Sequence, residues 1–274
     1  MRSRHAIPSA KPVFAGGGRR HQTVHAVPYR WRLTGSFLAH LFKATAQQHH
    51  RALAATIARF VPAEAVVFDV GAHAGQYTKL FARAASAGRV YAIEPASYAR
   101  SILRTVVWLH RLRNVSVLPM ALGAVDGLDT LSVPVKAHGS CGFGLSHLGR
   151  PQDRWGAVEQ ELVAVTTLDA VVAALCIDRV DFIKADIEGW ELALLRGAEK
   201  TLRRFRPAIL IELSQEHLAR AGDQIEAAFD FLAARGYAAC ELTPNGELLP
   251  VDAPLDGDFW FIPRDGPVAA RVGS

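Results

Sequence analysis

The feature that most constrains the fold of this chain is a short segment, residues 66–75 of 274. Its apolar, β-prone residues run into Asp69, and two glycines, Gly71 and Gly75, follow. Residues 76–83 then have the pattern of a helix. Open α/β sheets hold nucleotide-like ligands where a buried strand leads through a Gly-rich turn into a helix N-terminus. The segment therefore predicts a ligand site at the tip of a strand.

The next predicted strand, residues 89–93, ends at Glu94, whose carboxylate could accept hydrogen bonds from both hydroxyls of a ribose. The turn lacks the G-x-G-x-x-G spacing of a dinucleotide site, and Asp69 would repel a diphosphate. S-adenosylmethionine carries a ribose, a sulfonium and an ammonium and no phosphate, so it fits these residues best. A strand-to-helix turn that binds nothing and a nicotinamide dinucleotide site are the alternatives.

The formal charge of +5 is concentrated at the N-terminus, where residues 1–32 hold seven Lys and Arg and no acid. We predict a basic, disordered tail over residues 1–32, a helical segment over 33–61, one α/β domain over 62–264 and a C-terminal tail over 265–274. No apolar run has the length of a signal peptide or a membrane span. Three scattered cysteines favour a reducing compartment, so we expect a cytoplasmic protein. Because the basic excess lies in a tail and not on a binding face, we expect no specific nucleic-acid partner.

Predicted strands and helices alternate along the domain. Strands are predicted at 65–70, 89–93, 115–120, 180–184 and 208–212, and helices at 76–87, 98–112, 168–175, 190–205 and 224–235. This alternation favours a mostly parallel sheet covered on both faces. Short strands at 129–135 and 162–165 flank a long loop, residues 136–156, which is expected to be functional. The β-rich end, 237–262, contains the hairpin signal Asn245-Gly246 and should pair antiparallel near one edge.

A second group of polar residues follows the strand predicted at 180–184. If the strand continues, Lys184, Asp186 and Glu188 lie on one side of it. Glu212 ends the next strand, and His217 follows in a predicted loop. Ligands in open α/β sheets lie beyond the carboxyl ends of the strands, so these residues are candidates for substrate contacts or bases. The alternative is a structural Lys–carboxylate pair with acids at a helix N-terminus.

Together these blocks resemble the FkbM family of S-adenosylmethionine-dependent methyltransferases. The similar blocks follow the family's order over about residues 66–262: F-D-V-G-A-H-A-G-Q-Y-T from residue 68, I-E-P from 93, A-L-G from 121, T-L-D from 167, I-K-A-D-I-E-G-W-E from 183 and L-I-E from 210. The resemblance implies a class I methyltransferase (Rossmann-like) fold: a seven-stranded, mostly parallel sheet with helices on both faces and an antiparallel C-terminal strand. It also implies O-methylation of a hydroxyl on a sugar, a glycan or a natural product.

The resemblance also assigns residues to roles. It implies that S-adenosylmethionine lies against Asp69, Gly71, His73, Gly75, Glu94, Pro95, Ala121 and Asp186. Glu94 would hold the ribose, Asp69 would lie near the aminoacyl end, and the two glycines would let the backbone approach. The candidate bases or hydroxyl orienters are Asp186, Glu188 and Glu212, with Lys184 as electrostatic partner and His138 and His147 as weaker candidates. No metal is predicted.

The chain departs from the family pattern at His73, Ala74 and Trp190, which we expect to change the pocket and not the cofactor. The acceptor, a small molecule or a glycan, has no recognisable sequence code, although residues 136–156 are the expected place for its recognition. Neither does the sequence indicate an oligomeric state. Two other functions remain open: a nicotinamide-dependent oxidoreductase and a catalytically silent, nucleoside-binding interaction module.

Overall fold

The computed structural model describes residues 24–25, 35–48, 50–135, 147–148, 157–251 and 253–272. Most of the predicted basic tail and of the loop at 136–156, including His138, lies outside the described residues. The division into tails and domains stays a prediction. Within the described residues, no helix is long and apolar enough to cross a bilayer.

The described residues form thirteen strands and ten helices. The order is β1 (Val24–His25), α1 (Gly35–Ala46), a 3₁₀ turn (Arg51–Leu53), α2 (Ala54–Phe60), β2 (Val66–Val70), α3 (Gln76–Ala84), β3 (Arg89–Ile93), α4 (Ser97–Leu109), β4 (Val115–Leu118), β5 (Ala121–Leu122), β6 (Gly127–Val135), β7 (His147–Leu148), β8 (Ala157–Thr166), α5 (Leu168–Ala174), β9 (Phe182–Ala185), α6 (Glu191–Gly197), α7 (Glu199–Phe205), β10 (Ala208–Leu213), α8 (Gln215–Ala221), α9 (Ile225–Ala233), β11 (Tyr237–Leu242), β12 (Leu248–Pro250), β13 (Gly257–Pro263) and α10 (Gly266–Val272).

The central sheet has the strand order β12-β11-β13-β10-β9-β2-β3-β4. The five strands from β4 to β10 are parallel, and β13 runs antiparallel between β10 and β11. This confirms the predicted class I fold. The sheet has eight strands instead of seven because the turn at Asn245-Gly246 returns the chain as β12, which pairs with β11 at the edge.

Helices cover both faces of this sheet, as the alternation of strands and helices predicts. Phe68 and Val70 of β2 belong to one buried cluster with apolar residues of α5, α6, α7 and α9. Val67, which precedes Phe68, points to the other face, where it clusters with residues of α2 and α3 such as Phe60 and Phe81. The strand is buried on both sides, which explains why its sequence is a continuous apolar run and not an alternating one.

A second sheet, built on β6 and β8, is larger than the sequence predicts. β6 and β8 pair antiparallel from Gly127↔Val165 to Val135↔Ala157, so both strands are longer than predicted. Charged and polar residues interrupt β8 and hide its period, since one face is solvated: Leu162 is exposed, whereas Val163 is buried. The buried face of this sheet packs in one cluster with residues of α1 and α4.

The helix predicted at 190–205 is two helices, α6 and α7. The amide of Ala198 bonds to Leu195 O, three residues back, and the α-helical pattern stops there. A Cβ atom on Gly197 would lie 2.0 Å from the carbonyl oxygen of Gly123, so the backbones touch at this break. A close approach between segments distant in sequence cannot be inferred from local helical periodicity.

Candidate functional site

A cavity of about 310 Å³ opens at the carboxyl ends of β2, β3, β9 and β10. β2 and β9 are the neighbours at which the strand order reverses, the usual ligand position in open α/β sheets. Of the predicted site residues, this cavity brings together Gly71, His73, Glu94, Pro95, Ala121, Lys184, Asp186, Glu188 and Glu212. Asp69 and Gly75 are not among the residues that line it.

Glu94, at the tip of β3, forms one end of the cavity. Its Oε2 accepts a hydrogen bond from the His73 amide and its Oε1 one from the Ala96 amide, each at 2.8 Å. Burial raises the pKa of this carboxyl to about 7, against the effect of the two amide donors. Each carboxylate oxygen has two lone pairs, so each can accept one further hydrogen bond from a diol.

The two predicted glycines, Gly71 and Gly75, lie in different surroundings. Gly71 has φ +72°, and a Cβ there would lie 1.9 Å from the carbonyl oxygen of Asp186. The turn after β2 can therefore touch the end of β9 only if residue 71 is glycine. Gly75 has φ +87°, and a Cβ there would come within 2.8 Å of Leu103. Gly75 does not line the cavity and lies against Leu103 of α4, so its assignment to the cofactor stays a prediction.

Asp69 lies behind the cavity wall. It is fully buried, and its Oδ2 accepts a hydrogen bond of 2.5 Å from the Thr78 hydroxyl in α3. Burial raises its pKa, while the nearby charge of Lys184 and the Thr78 hydrogen bond lower it. Direct contact of Asp69 with a ligand in the cavity does not fit this position. The side chain instead fixes α3 and contributes charge beneath Lys184.

Lys184 and Asp186 form an ion pair at the tip of β9. Lys184 Nζ lies 3.1 Å from Asp186 Oδ2 and 5.0 Å from the centre of the Tyr77 ring. Burial lowers the lysine pKa, but the charges of Asp186 and Asp69 outweigh burial, so the pKa is raised. Burial raises the Asp186 pKa, but Lys184 outweighs it by charge and hydrogen bond, so that pKa is lowered. Both groups are therefore charged at neutral pH.

Glu212, near the end of β10, keeps part of its side chain exposed, and the pKa of its partly buried carboxyl is raised. Burial raises its pKa to about 7, together with the negative charges of Asp186 and Asp258 and a hydrogen bond to Asp186. Asp258 stands directly opposite Glu212 across the β10–β13 pair, and like charges in this position are destabilising. Asp258 was not among the predicted site residues, because only the strand pairing brings it beside Glu212.

The strand does not continue to Glu188, so the condition under which Lys184, Asp186 and Glu188 would lie on one side of it is not met. β9 ends at Ala185, and Glu188 and Gly189 have φ of +56° and +106°. The turn is held by Glu191, whose carboxylate accepts hydrogen bonds from the Ile187 and Gly189 amides. Glu188 reaches the cavity because of this turn and not through strand alternation.

Glu188 faces His217, which lies in α8 and not in a loop as predicted. Its Oε2 is 2.9 Å from His217 Nδ1. Burial raises the Glu188 pKa to about 8, helped by Asp186 and Glu212, and burial lowers the His217 pKa, helped by Arg220. At neutral pH the pair is therefore a protonated acid beside a neutral imidazole.

The N-terminal helical segment supplies a wall that the site predictions omitted. His50 lines the cavity, and its ring stacks on Tyr77 with 4.2 Å between centres. The buried Lys79 of α3 donates hydrogen bonds to Ala44 O and Gln47 O at the end of α1, which fixes this segment on the domain. Trp190, which was expected to change the pocket, lines the cavity, and lining residues outside the prediction include Gln76, Tyr77, Leu122, Leu131 and Ile187.

The electrostatics of the cavity favour a cationic ligand. Among the described lining residues, Lys184 is the one Lys or Arg, and Asp186 balances its charge. Glu94 and Glu212, with pKa values of about 7, add partial negative charge at neutral pH, and Glu188 adds more only above about pH 8. The described residues contain no group of three or more His, Cys, Asp or Glu side chains that could hold a metal ion.

Residues 69–239 of this chain match the family model of the methyltransferase FkbM domain. No curated protein matches the chain. Similar solved structures include a methyltransferase FkbM from Methylobacillus flagellatus KT, with 20% identity and a TM-score of 0.48, covering 73% of this chain and 44% of that one. An O-methyltransferase from Bacillus cereus in complex with SAH has 13% identity and a TM-score of 0.45, covering 83% and 90% of the two chains.

The chain thus spans less than half of the Methylobacillus protein. The family model, in contrast, runs from within β2 to within β11 and includes all four strand tips that form the cavity. Because it matches more than half of the sequence, the chain belongs to the FkbM methyltransferase family.

Proposed function

We propose that this protein is an S-adenosylmethionine-dependent O-methyltransferase that acts on a hydroxyl of a sugar, a glycan or a natural product. One observation carries the proposal: a single cavity has a hydrogen-bonding carboxyl, Glu94, at one end and a carboxylate-rich group around Lys184 and Asp186 at the other. Family membership supports methyl transfer. The oxygen acceptor follows from the sequence resemblance and from the acids at the second end.

The cavity residues fit S-adenosylmethionine, which supplies a methyl group on a positively charged sulfur. Glu94 would accept the ribose hydroxyls with its remaining lone pairs, while His73, Pro95 and Ala121 would line the nucleoside. Asp186 and its acidic neighbours would lie nearer the sulfonium and ammonium. With one cation among its described lining residues, the cavity suits a dinucleotide diphosphate poorly.

The acceptor hydroxyl must lose a proton as its oxygen bonds to the methyl carbon. Glu212 is our first candidate for the base, because a pKa of about 7 leaves it partly ionised and still basic at neutral pH. Asp186, ionised beside Lys184, would orient the hydroxyl. Glu188 is the second candidate, with a higher pKa of about 8. A positioned base contributes on the order of 10²–10⁴-fold, and alignment of the reactants supplies much of the remainder.

Calorimetric titration with S-adenosylmethionine, with NAD as control ligand, tests the cofactor. We expect the wild-type protein to bind S-adenosylmethionine and not NAD, and Glu94→Ala to lose binding. Glu161→Ala is a matched control: Glu161 also holds backbone and hydroxyl donors, at Ser97, but does not line the cavity. A thermal melt of each variant separates lost binding from lost folding.

Binding lost in Glu94→Ala alone would justify a screen of hydroxylated acceptors with methyl-labelled cofactor. Unchanged affinity in Glu94→Ala would contradict the ribose assignment. Binding of NAD instead would favour an oxidoreductase, and binding without turnover across the acceptor screen would favour a silent interaction module.

A further inference from the structure

A basic and apolar surface lies at the end of α4, outside the cavity. It consists of Arg104, Trp108, Leu109, Arg111 and Arg113, and we name it the Trp108 surface. Because α4 leads from the carboxyl end of β3 back to the amino end of β4, its last turn lies at the sheet end opposite the cavity. We propose that the Trp108 surface docks the protein on a membrane surface that contains anionic lipids.

The charge of this surface is unbalanced. Residues 95–125 contain no Asp or Glu, so the three arginines have no acid near them in sequence. All three side chains are exposed, and within the described part of the chain none makes an ion pair or a hydrogen bond. Elsewhere exposed arginines do pair, as Arg196 does with Asp223. Free guanidinium groups are suited to lipid phosphates, which they can bind through two hydrogen bonds.

The same surface exposes apolar side chains. Trp108 is 75% exposed and Leu109, its neighbour, 49%. Arg104 and Trp108 are four residues apart and share one face of α4, while Arg111 and Arg113 follow in the turn to β4. Tryptophan is favoured at membrane–water interfaces, and a leucine beside it can enter the acyl boundary while arginines contact the headgroups.

Other anionic partners explain fewer of these residues. A single-stranded nucleic acid would use the arginines and stack on Trp108, but Leu109 offers no stacking face. A second copy of the chain would bring the same three arginines against each other in a two-fold contact. A bilayer with negative headgroups is complementary both to the charges and to the Trp108–Leu109 pair. The cavity would then face the solution, so docking is independent of the proposed methyl transfer.

Vesicle flotation with the full-length chain tests this inference. We expect binding to vesicles of phosphatidylcholine with about one third phosphatidylglycerol, no binding to phosphatidylcholine alone, and release at about 0.5 M NaCl. Neutralising Arg104, Arg111 and Arg113 with glutamine should weaken binding at least about tenfold. The double variant Trp108→Ser/Leu109→Ser should also weaken binding, with less dependence on salt.

Two control variants match these changes elsewhere on the surface. Lys200, Arg203 and Arg264 are exposed, and their replacement by glutamine removes the same charge. Leu128, 70% exposed on β6, is the apolar control for replacement by serine. Binding equal in all variants would overturn the proposal and assign any membrane affinity to the basic N-terminal residues. Absent vesicle binding, with an oligonucleotide bound through the three arginines, would overturn it in favour of nucleic acid.

Discussion

The two ends of the cavity hold their carboxyl groups in different ways. At the tip of β3, Glu94 is held by two backbone amides, and burial is the first cause of its raised pKa. At the tips of β9 and β10, Asp186 and Glu212 are held by side chains, and each carboxylate changes the pKa of the other. One end is therefore a hydrogen-bonding site fixed by the backbone, and the other is an electrostatic site whose acids are coupled to one another.

Under the proposed function, this difference would separate ligand recognition from methyl transfer. A ligand part that is the same before and after methyl transfer is best held by groups whose charge is independent of their neighbours. The part that loses its positive charge suits the coupled acids, because their interaction with it changes during the reaction. Glu94 variants should therefore weaken S-adenosylmethionine and S-adenosylhomocysteine equally, whereas variants at Asp186 and Glu212 should act on turnover and on the preference between the two.

The largest effect is expected for Asp186→Asn. Asparagine keeps the size of the side chain but removes the negative charge that pairs with Lys184 and raises the Glu212 pKa. Turnover should fall about 10²–10⁴-fold, while cofactor affinity changes far less. Single-turnover rates with labelled cofactor measure the first quantity and calorimetry the second. Asp230→Asn, at an exposed position of α9, is the control. Full turnover in Asp186→Asn would remove this residue from the proposed chemistry.

The second largest effect is expected for Gly71→Ala, because Gly71 lies between the two ends of the cavity. A methyl group at this position would overlap the carbonyl of Asp186 and would also require φ near +72° in a residue with a side chain. We expect Gly71→Ala to lower the free energy of unfolding by about 3 kcal/mol or more. Gly127→Ala is the control, since a Cβ there meets no atom within 4 Å. Urea denaturation compares them, and equal stability would show that the close approach is not needed.

The two ends of the cavity also differ in how much of each could be predicted from the sequence. The tip of β3 and the Gly71 turn are local in sequence, so Glu94, His73 and Pro95 could be assigned to the site before the fold was known. The second end depends on contacts across the sheet. Asp258 comes to Glu212 only through the β10–β13 register, and His217 meets Glu188 only because the chain turns at Gly189. His50 reaches the cavity through a clamp on α3 that no sequence period encodes.

The preference for S-adenosylmethionine over S-adenosylhomocysteine should change with pH only through the acids at the Asp186–Glu212 end of the cavity. As pH rises from about 6 to about 9, Glu212 and Glu188 lose protons, since their pKa values are raised to about 7 and about 8. The added negative charge attracts the sulfonium, so the preference for S-adenosylmethionine over S-adenosylhomocysteine should rise by up to about tenfold. Ionisation of Glu94 should affect both ligands alike and cancel in the ratio. Paired titrations of the two ligands across this pH range measure it. A ratio that stays constant in the wild type would contradict an electrostatic end, and Glu212→Gln should flatten the rise.

The smallest effect is a change in stability without ligand. The Glu188 pKa is raised from 4.5 in the unfolded chain to about 8 in the folded protein. Between these values the folded state holds a proton that the unfolded chain has lost, so stability from this group is present below pH 4.5 and falls as pH rises to about 8. Glu188→Gln, which resembles the protonated acid, should therefore be more stable than the wild type at pH 8, by on the order of 1 kcal/mol, and nearly equal at pH 5. Glu226→Gln, an exposed acid of α9, should show no such divergence. If Glu188→Gln and the wild type differ in stability by the same amount at both pH values, Glu188 is ionised in the folded protein and its pKa is not raised. The end of the cavity at Asp186 and Glu212 would then carry one more negative charge at neutral pH.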